Sequence, residues 1–400
     1  MRGGVLVAVV GTICGGCFQL DIPPGSLRCT EECPGEMECV EGRCFPKGWK
    51  PSADATYETD LGAGADLDGA PPPGWWNAAW SRRRKLTFHN AAAQVDLLDF
   101  PVLVVLDASR VDYSRTRTYG EDVRFVDADG KTVLAHEIEA WTQGGTSFIW
   151  VRVPKVDMAS TTDHIWLYHG NGAAGDGQQP AAVWHPSYKA VWHLHDGFQD
   201  STANAMHATN FGSTDAPGVI ADGRAFDGQG QYIDTNDSRD LQSFTVMVWA
   251  QGASVPDNDD VNGPLLREEN YQLCWDHAAP YPRAAVSYLH TGGIWRAAQF
   301  GTLQAETWYL LAATLDGGTL VAYVNGAKTD SDTQSPVTLS STHTAKIGRH
   351  AHKSSVPVNF FEGRVDEVRI ADVARSADWI AAQHASMTDA FIGYGMEESR

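Results

Sequence analysis

Between residues 75 and 365 no apolar pattern holds a helical period; the chain instead repeats short alternating runs closed by turn signals. Lys85–His89, Val102–Leu106, Val123–Val126, Phe148–Val153 and His164–Tyr168 each run four to six residues. Phe244–Ala250, Trp308–Leu315 and Leu320–Val324 continue the series. Asp316-Gly317-Gly318 and Asn325-Gly326 punctuate it, because Asn and Gly accept the positive φ that tight hairpins need. Regular short strands with turns of this kind build β-sandwiches or barrels, so the chain is expected to be all-β. One segment, Ser376–His384, reads as helix. Ser376 is placed to cap it, and Trp379 and Ala382, three residues apart, share a face.

Four hundred residues allow two or three domains. Composition divides them. From Pro51 to Gly74 the chain carries five acidic residues, no basic ones and the run Pro71–Pro72–Pro73. Such a stretch buries too little apolar surface to fold and reads as an extended tether. Before it, Cys29, Cys33, Cys39 and Cys44 crowd into sixteen residues rich in Gly, Pro and Glu. That segment has no core of its own, and two disulfides would be its staple, with all three connectivities open. A zinc site is the competing reading, but the spacing C-x3-C-x5-C-x4-C lacks paired CxxC knuckles. Cys274, in the strand-like run Tyr271–Trp275, reads as a small buried hydrophobe.

The first residues bear on the compartment. Arg2 supplies a charge, Val5–Ile13 is apolar, and Gly15-Gly16 precede Cys17. This is the layout of a secretory signal, and the apolar run falls short of the roughly 20 residues that span a bilayer. The end at Gly-Gly-Cys resembles the lipobox of bacterial lipoproteins. The resemblance implies cleavage before Cys17 and lipidation of its sulfur, with acyl chains holding the protein to a membrane. Cys14 departs from the pattern, which normally has a leucine-like residue there. The alternative is an ordinary signal that leaves Cys17 a plain thiol. Phe18 follows Cys17, so the aspartate cue for inner-membrane retention is missing. The expected location is the cell envelope, at the outer membrane or cell surface. The expected division is residues 1–16 signal, 17–50 Cys-rich segment, 51–74 linker, 75–188 first sandwich and 189–397 second sandwich. Net charge is −20, with no basic cluster larger than Arg82–Lys85, which argues against nucleic acid as a partner.

Two resemblances follow from particular residues. Trp80 with the basic strand after it and Asn90 come first, then Phe100-Pro101-Val102 and Asp122-Val123-Arg124-Phe125. His136 to Trp141, Trp150-Val151-Arg152-Val153-Pro154, Leu167-Tyr168 and Gly170-Asn171 complete an order that resembles domain of unknown function 2341. That family implies a fold and an extracellular habitat, with no chemistry attached. From about Ala190 the carriers are Val191-Trp192-His193-Leu194, Asp200-Ser201 with Asn204, and Phe226-Asp227-Gly228. Phe244-Thr245-Val246 with Trp249, Trp308, Tyr323-Val324-Asn325-Gly326, Ile347-Gly348 and Phe361 to Ile370 continue them. This stretch resembles the laminin-G-like, concanavalin A-like jelly rolls of surface proteins. The full expectation is two consecutive β-sandwiches, the second a concanavalin A-like jelly roll, preceded by a small disulfide-rich segment. Ligands of such domains vary, and fold alone does not name one.

Glycoside hydrolases share the jelly-roll shape and need two carboxylates about 5 Å apart for retention. The acid run that serves them, E-x-D-x-E or E-x-D-x-x-E along one strand, does not occur. Glu137 and Glu139 share a face but belong to the first sandwich, and Asp366 and Glu367, as neighbours, are expected on opposite faces of a strand. Catalysis is therefore not expected. The laminin-G-like resemblance implies a structural calcium ion bridging the acids that match Asp200 and Asp366, against the alternative that Asp200 caps a turn and Asp366 pairs with an arginine. His193 with His195, and His350 with His352, alternate as strand-borne zinc pairs would, but no third ligand can be assigned. Trp192, Trp249 and Trp308 read as core. Trp275 and Trp295 border irregular segments and are the candidates for stacking on sugar rings, against the alternative that they cover a core edge. The sequence thus points to an envelope-anchored binding or adhesion lipoprotein recognising glycan or a surface protein. A structural or assembly component of an envelope complex is the alternative, and a hydrolase the weaker one.

Overall fold

The computed structural model describes residues 37–40, 43–46 and 74–400, apart from 257–260, 277–283, 291–293, 337 and 351–358. The signal, Cys17, Cys29, Cys33 and most of the tether lie outside these residues. The chain divides into two units, Met1–Ala65 and Asp66–Arg400. In the first, Met37–Val40 and Arg43–Pro46 pair antiparallel with Cys39 opposite Cys44.

The second unit holds both sandwiches, and every strand pair in it is antiparallel. One sheet of the first sandwich has five strands, in the order Ile392–Ser399, Arg82–Phe88, His164–His169, Arg124–Asp127 and Val133–Leu134. The facing sheet has three: Leu97–Leu106, Ser147–Val156 and His136–Ala140. The second sandwich opposes an eight-stranded sheet, centred on Phe244–Gly252 and Glu362–Ala371, to a seven-stranded sheet running from Thr209–Phe211 to Ile294–Gln299.

The last strand, within the span 189–397 expected for the second sandwich, lies in the first. Ile392–Ser399 does not close the jelly roll; it pairs with Arg82–Phe88, with Ile392 opposite Phe88 and Ser399 opposite Arg82. The chain leaves the second sandwich and returns to cover the edge of the first, where unpaired N–H and C=O groups would otherwise invite association. Between them lies the helix Ala377–Met387, capped as expected by Ser376, whose side chain accepts from the Trp379 N–H. It fastens the two sandwiches. Trp379 meets Phe100 edge-on at 5.4 Å, the Leu103 N–H donates to Ser386 Oγ at 2.8 Å, and Gln383 Nε2 donates to the Pro101 carbonyl at 2.7 Å.

The strand Phe244–Gly252 shows why the two bodies adhere. It is buried along its whole length, and its centre, Val246–Ala250, is the unbroken apolar run expected of a strand covered on both faces. Alternation sends Val246, Val248 and Ala250 into the core of the second sandwich. Met247 and Trp249 point the other way, into a cluster shared with Phe100, Leu103, Trp150 and Trp184 of the first. At the far end of this sheet Asn325 and Gly326, with φ of 49° and 82°, make the tight hairpin their sequence predicts.

Candidate functional site

The chemistry-bearing side chains converge where the sandwiches meet. Glu137 and Glu139 alternate along His136–Ala140, one strand of the first sandwich, and so project to the same face. Opposite them, Glu362–Ala371 crosses the second sandwich. One of its edges pairs with Asp222–Asp227 over residues 362–365 and with Tyr188–Trp192 over residues 368–371. Asp366 and Glu367 fall in the gap between these partners.

A bulge sits at the gap. On the other edge Met247 faces Arg369 and Trp249 faces Asp366, so Val248 alone spans Glu367 and Val368. Glu367 takes φ of 51°, which a side-chain-bearing residue adopts only under local constraint. The expectation that Asp366 and Glu367 point to opposite faces fails for this reason: the extra residue breaks the two-residue period. Asp366 Oδ2 accepts from the Val219 and Ile220 N–H groups at 2.8 and 2.9 Å, and Ile220 belongs to the core shared with the first sandwich.

His193 completes the cluster. The strand Tyr188–Trp192 stops just before it, and Leu194 turns the chain with φ of 67°. The expected His193–His195 pair therefore does not form on a strand: His195 is engaged with Asp196 and Asp222. His193 Nδ1 lies 2.5 Å from Glu367 Oε1 and 3.2 Å from Glu139 Oε2, while Nε2 lies 3.4 Å from Glu137 Oε2. Each acid is held from behind. Trp184 Nε1 and Ser201 Oγ donate to Glu137 at 2.8 and 2.6 Å, and Trp150 Nε1 donates to Glu139 Oε2 at 2.7 Å. Arg369 donates to Glu367 Oε2 and, at 2.6 Å, to Gln383 Oε1. Its guanidinium lies over the rings of Trp150 and Trp184, 4.1 and 4.8 Å from their centroids.

Burial and charge set the protonation. Burial works against the His193 proton, yet Glu367, Glu139 and Glu137 outweigh it and hold the imidazole pKa well above its ordinary value. Burial likewise works against the charge on Glu367 and Glu137. His193 and Arg369 overcome it for Glu367, and His193, Ser201 and Trp184 for Glu137, so both stay below the usual carboxylate range. Glu139 is pushed up to about 7 by burial and then by the Glu367 charge. Asp366 is raised well above its ordinary value by burial, Glu367 and Glu139. A glycosidase needs its acids open to a sugar chain. Here the side chains of Glu139 and Glu367 are 1% and 0% exposed, so no polysaccharide reaches them.

The other residues singled out in the sequence lie apart from this cluster. Asp200 accepts from the Val191, Thr202 and Met206 N–H groups and from Thr202 Oγ1. Asp200 thus organises its turn, and Asp366 pairs through Oδ2 with backbone N–H groups rather than an arginine. Trp275 is 1% exposed and packs in the second core with Phe361. Its indole N–H donates to the Ser254 carbonyl. It is a core residue and not a platform, because the strand Tyr271–Cys274 delivers it inward at its end. Trp295, on the edge strand Ile294–Gln299, is half-buried.

Sequence reading missed an exposed aromatic group on the same seven-stranded sheet. At its opposite edge, Phe211 and Tyr232 stack face to face, 4.5 Å apart with ring planes 2° from parallel. Phe211 is 44% exposed. Arg349 lies 4.7 Å over Tyr232 and 5.7 Å over Phe360. These residues are far apart in sequence, and only the pairing of Thr209–Phe211 with Tyr232–Asp234 brings the two rings side by side.

Residues 119–210 match the family model of domain of unknown function 2341, and residues 227–381 match that of the concanavalin A-like lectin/glucanases superfamily. The first match runs past the expected boundary at 188, through Tyr188–Trp192 and His193. No curated protein matches the chain. Among solved structures, domain 4 of AbnA, an extracellular arabinanase from Geobacillus stearothermophilus solved with arabinotriose, is 17% identical with a TM-score of 0.41. It is covered over 96% of its length by 48% of this chain. The binding domain of Paraclostridial Mosquitocidal Protein 1 is 11% identical with a TM-score of 0.40, 50% of this chain covering 52% of it. The binding domain of Botulinum Neurotoxin DC, solved with SialylT, is 9% identical with a TM-score of 0.37 over 50% of this chain and 52% of its own.

Proposed function

We propose that this chain, which joins a domain of unknown function 2341 to a concanavalin A-like sandwich, is a non-catalytic binding protein of the cell envelope. A lipidated Cys17 holds it to the membrane, the tether of residues 51–74 lets the folded body reach outward, and the second sandwich recognises a glycan or a surface protein. The observation that carries this reading is a division of labour. The acids that hydrolysis would need are sealed between the sandwiches, while an aromatic pair backed by a cation stands open on the outer sheet. A flat exposed ring presents the apolar face of a sugar with contact area at little entropic cost. Weak single contacts suffice for a surface protein, because many tethered copies on one membrane add avidity.

The test is binding of the purified full chain to a panel of polysaccharides by affinity electrophoresis, with Phe211→Ala, Trp295→Ala and Trp275→Ala beside it. The expected result is retention by at least one polysaccharide, weakened at least about tenfold in Phe211→Ala without change in melting temperature. Polysaccharide retained unchanged by Phe211→Ala but lost in Trp295→Ala moves the site to the other edge of the sheet. No retention on any polysaccharide, together with an envelope protein crosslinked to the chain in intact cells, favours the assembly role.

A further inference from the structure

We propose that Glu139, His193 and Glu367 bind a divalent transition-metal ion of the zinc class, which joins the two sandwiches through ligands from both. One oxygen of each carboxylate and one nitrogen of the imidazole lie within 4.8 Å of one another. They come from three separate segments: a strand of the first sandwich, the bulged strand of the second, and the turn just after Tyr188–Trp192.

Hydrogen bonding alone leaves this site underserved. His193 Nδ1 carries at most one proton, yet it faces Glu367 Oε1 at 2.5 Å and Glu139 Oε2 at 3.2 Å. A divalent ion satisfies both oxygens at once. Glu139 Oε1 is buried with no hydrogen-bond partner, on a side chain that is 1% exposed. A lone pair stranded in that way needs a donor or a cation. Charge points the same way. Three carboxylates, Glu137, Glu139 and Glu367, converge on His193, with Arg369 beside Glu367, and a divalent ion adds the positive charge that such a buried cluster lacks.

The surroundings are those of a ligand set held from behind. His193 keeps Nε2 toward Glu137, which is fixed by Trp184 and Ser201. Metal-binding histidines are oriented by such a carboxylate on the distal nitrogen. Trp150 fixes Glu139, and Arg369 fixes Glu367 through the oxygen that does not face His193. Two carboxylate oxygens and one imidazole nitrogen form a mixed N/O set that suits zinc or its first-row neighbours better than calcium. Zinc at ~2.1 Å from each atom spaces tetrahedral ligands ~3.4 Å apart. The pair at 3.2 Å is close to that spacing, and the pair at 2.5 Å opens by under about one ångström. Glu139 Oε1 is at hand as a further donor atom. Binding expels the proton from His193 Nδ1 and keeps the one on Nε2.

The test uses the untagged full-length chain in detergent, stripped with a chelator, dialysed against zinc and analysed for bound metal and melting temperature. The expected result is about one equivalent of zinc and a rise in melting temperature, both lost on chelation and restored on return. In Glu139→Gln the bound zinc falls below about a tenth of that, and zinc no longer moves the melting temperature. Zinc-free wild type after dialysis overturns the proposal, and so does Glu139→Gln retaining the full equivalent. Should Glu139→Gln fail to fold, cobalt-loaded wild type decides. Hyperfine-shifted resonances from one imidazole support the site, and their absence overturns it.

Discussion

Asp366 and Glu367 are consecutive residues of one strand, yet both carboxylates feel Glu139 of the opposite sandwich. The bulge at Glu367, with its φ of 51°, produces this relationship. It converts a strand that would show one acid to each face into one that presents two acids to the domain interface.

Removing one partner of the buried Glu367–Arg369 pair leaves the other uncompensated. Glu367→Ala is expected to destabilise the chain by about 3–5 kcal/mol in urea unfolding. The double replacement Glu367→Met with Arg369→Met, which removes both charges, should cost far less. Equal losses in the single and double variants would falsify the pairing.

His136 gives the folded chain a pH limit. Burial, with help from the Arg124 charge, lowers its pKa from 6.5 to about 4, and neither ring nitrogen has a hydrogen-bond partner. Below pH 6.5 the unfolded chain takes up a proton that the folded chain refuses until about pH 4. Stability is therefore intact above 6.5, declines as pH falls through this window by up to about 3 kcal/mol, and gains no further loss from this group below it. His136→Phe should show a shallower decline between those values. A slope equal to that of wild type assigns the loss to other groups.

The C-terminal strand belongs to the first sandwich in space and follows the second in sequence. Deleting residues 392–400 should expose the edge of Arg82–Phe88 and remove the Glu397 contact to His169. We expect aggregation of the truncated chain on size-exclusion chromatography. Calorimetry of the intact chain should show one cooperative transition for residues 74–400, since the two sandwiches share a core. Two well-separated transitions would contradict that.

Trp275 and Trp295 should separate under mutation. Trp275→Ala opens a hole beside Phe361 and Tyr309 and is expected to cost about 3–5 kcal/mol. Trp295→Ala, at a half-buried edge position, should cost much less. Matching losses in thermal melts would show that the edge tryptophan is core as well.

The sequence by itself determined the local elements. Its period-two runs became strands, Phe244–Ala250 among them, Asn325-Gly326 became the tight turn, and Ser376 became the helix cap. Each rests on neighbours a few residues away, which is the range over which backbone preference and side-chain alternation act. Two families were legible for the same reason, because their motifs are contiguous. The tertiary structure alone decided what the charged residues do. Glu137, Glu139, His193, Glu367 and Arg369 are separated by up to 232 positions, and no spacing rule joins them. Their meeting depends on a bulge, a strand that stops at Trp192 and a helix that draws the sandwiches together. Trp275 proved to be core, and Phe211 went unnoticed, for a related reason. Whether an aromatic ring is core or platform depends on which sheet lies above it, and that is fixed only when distant strands pair.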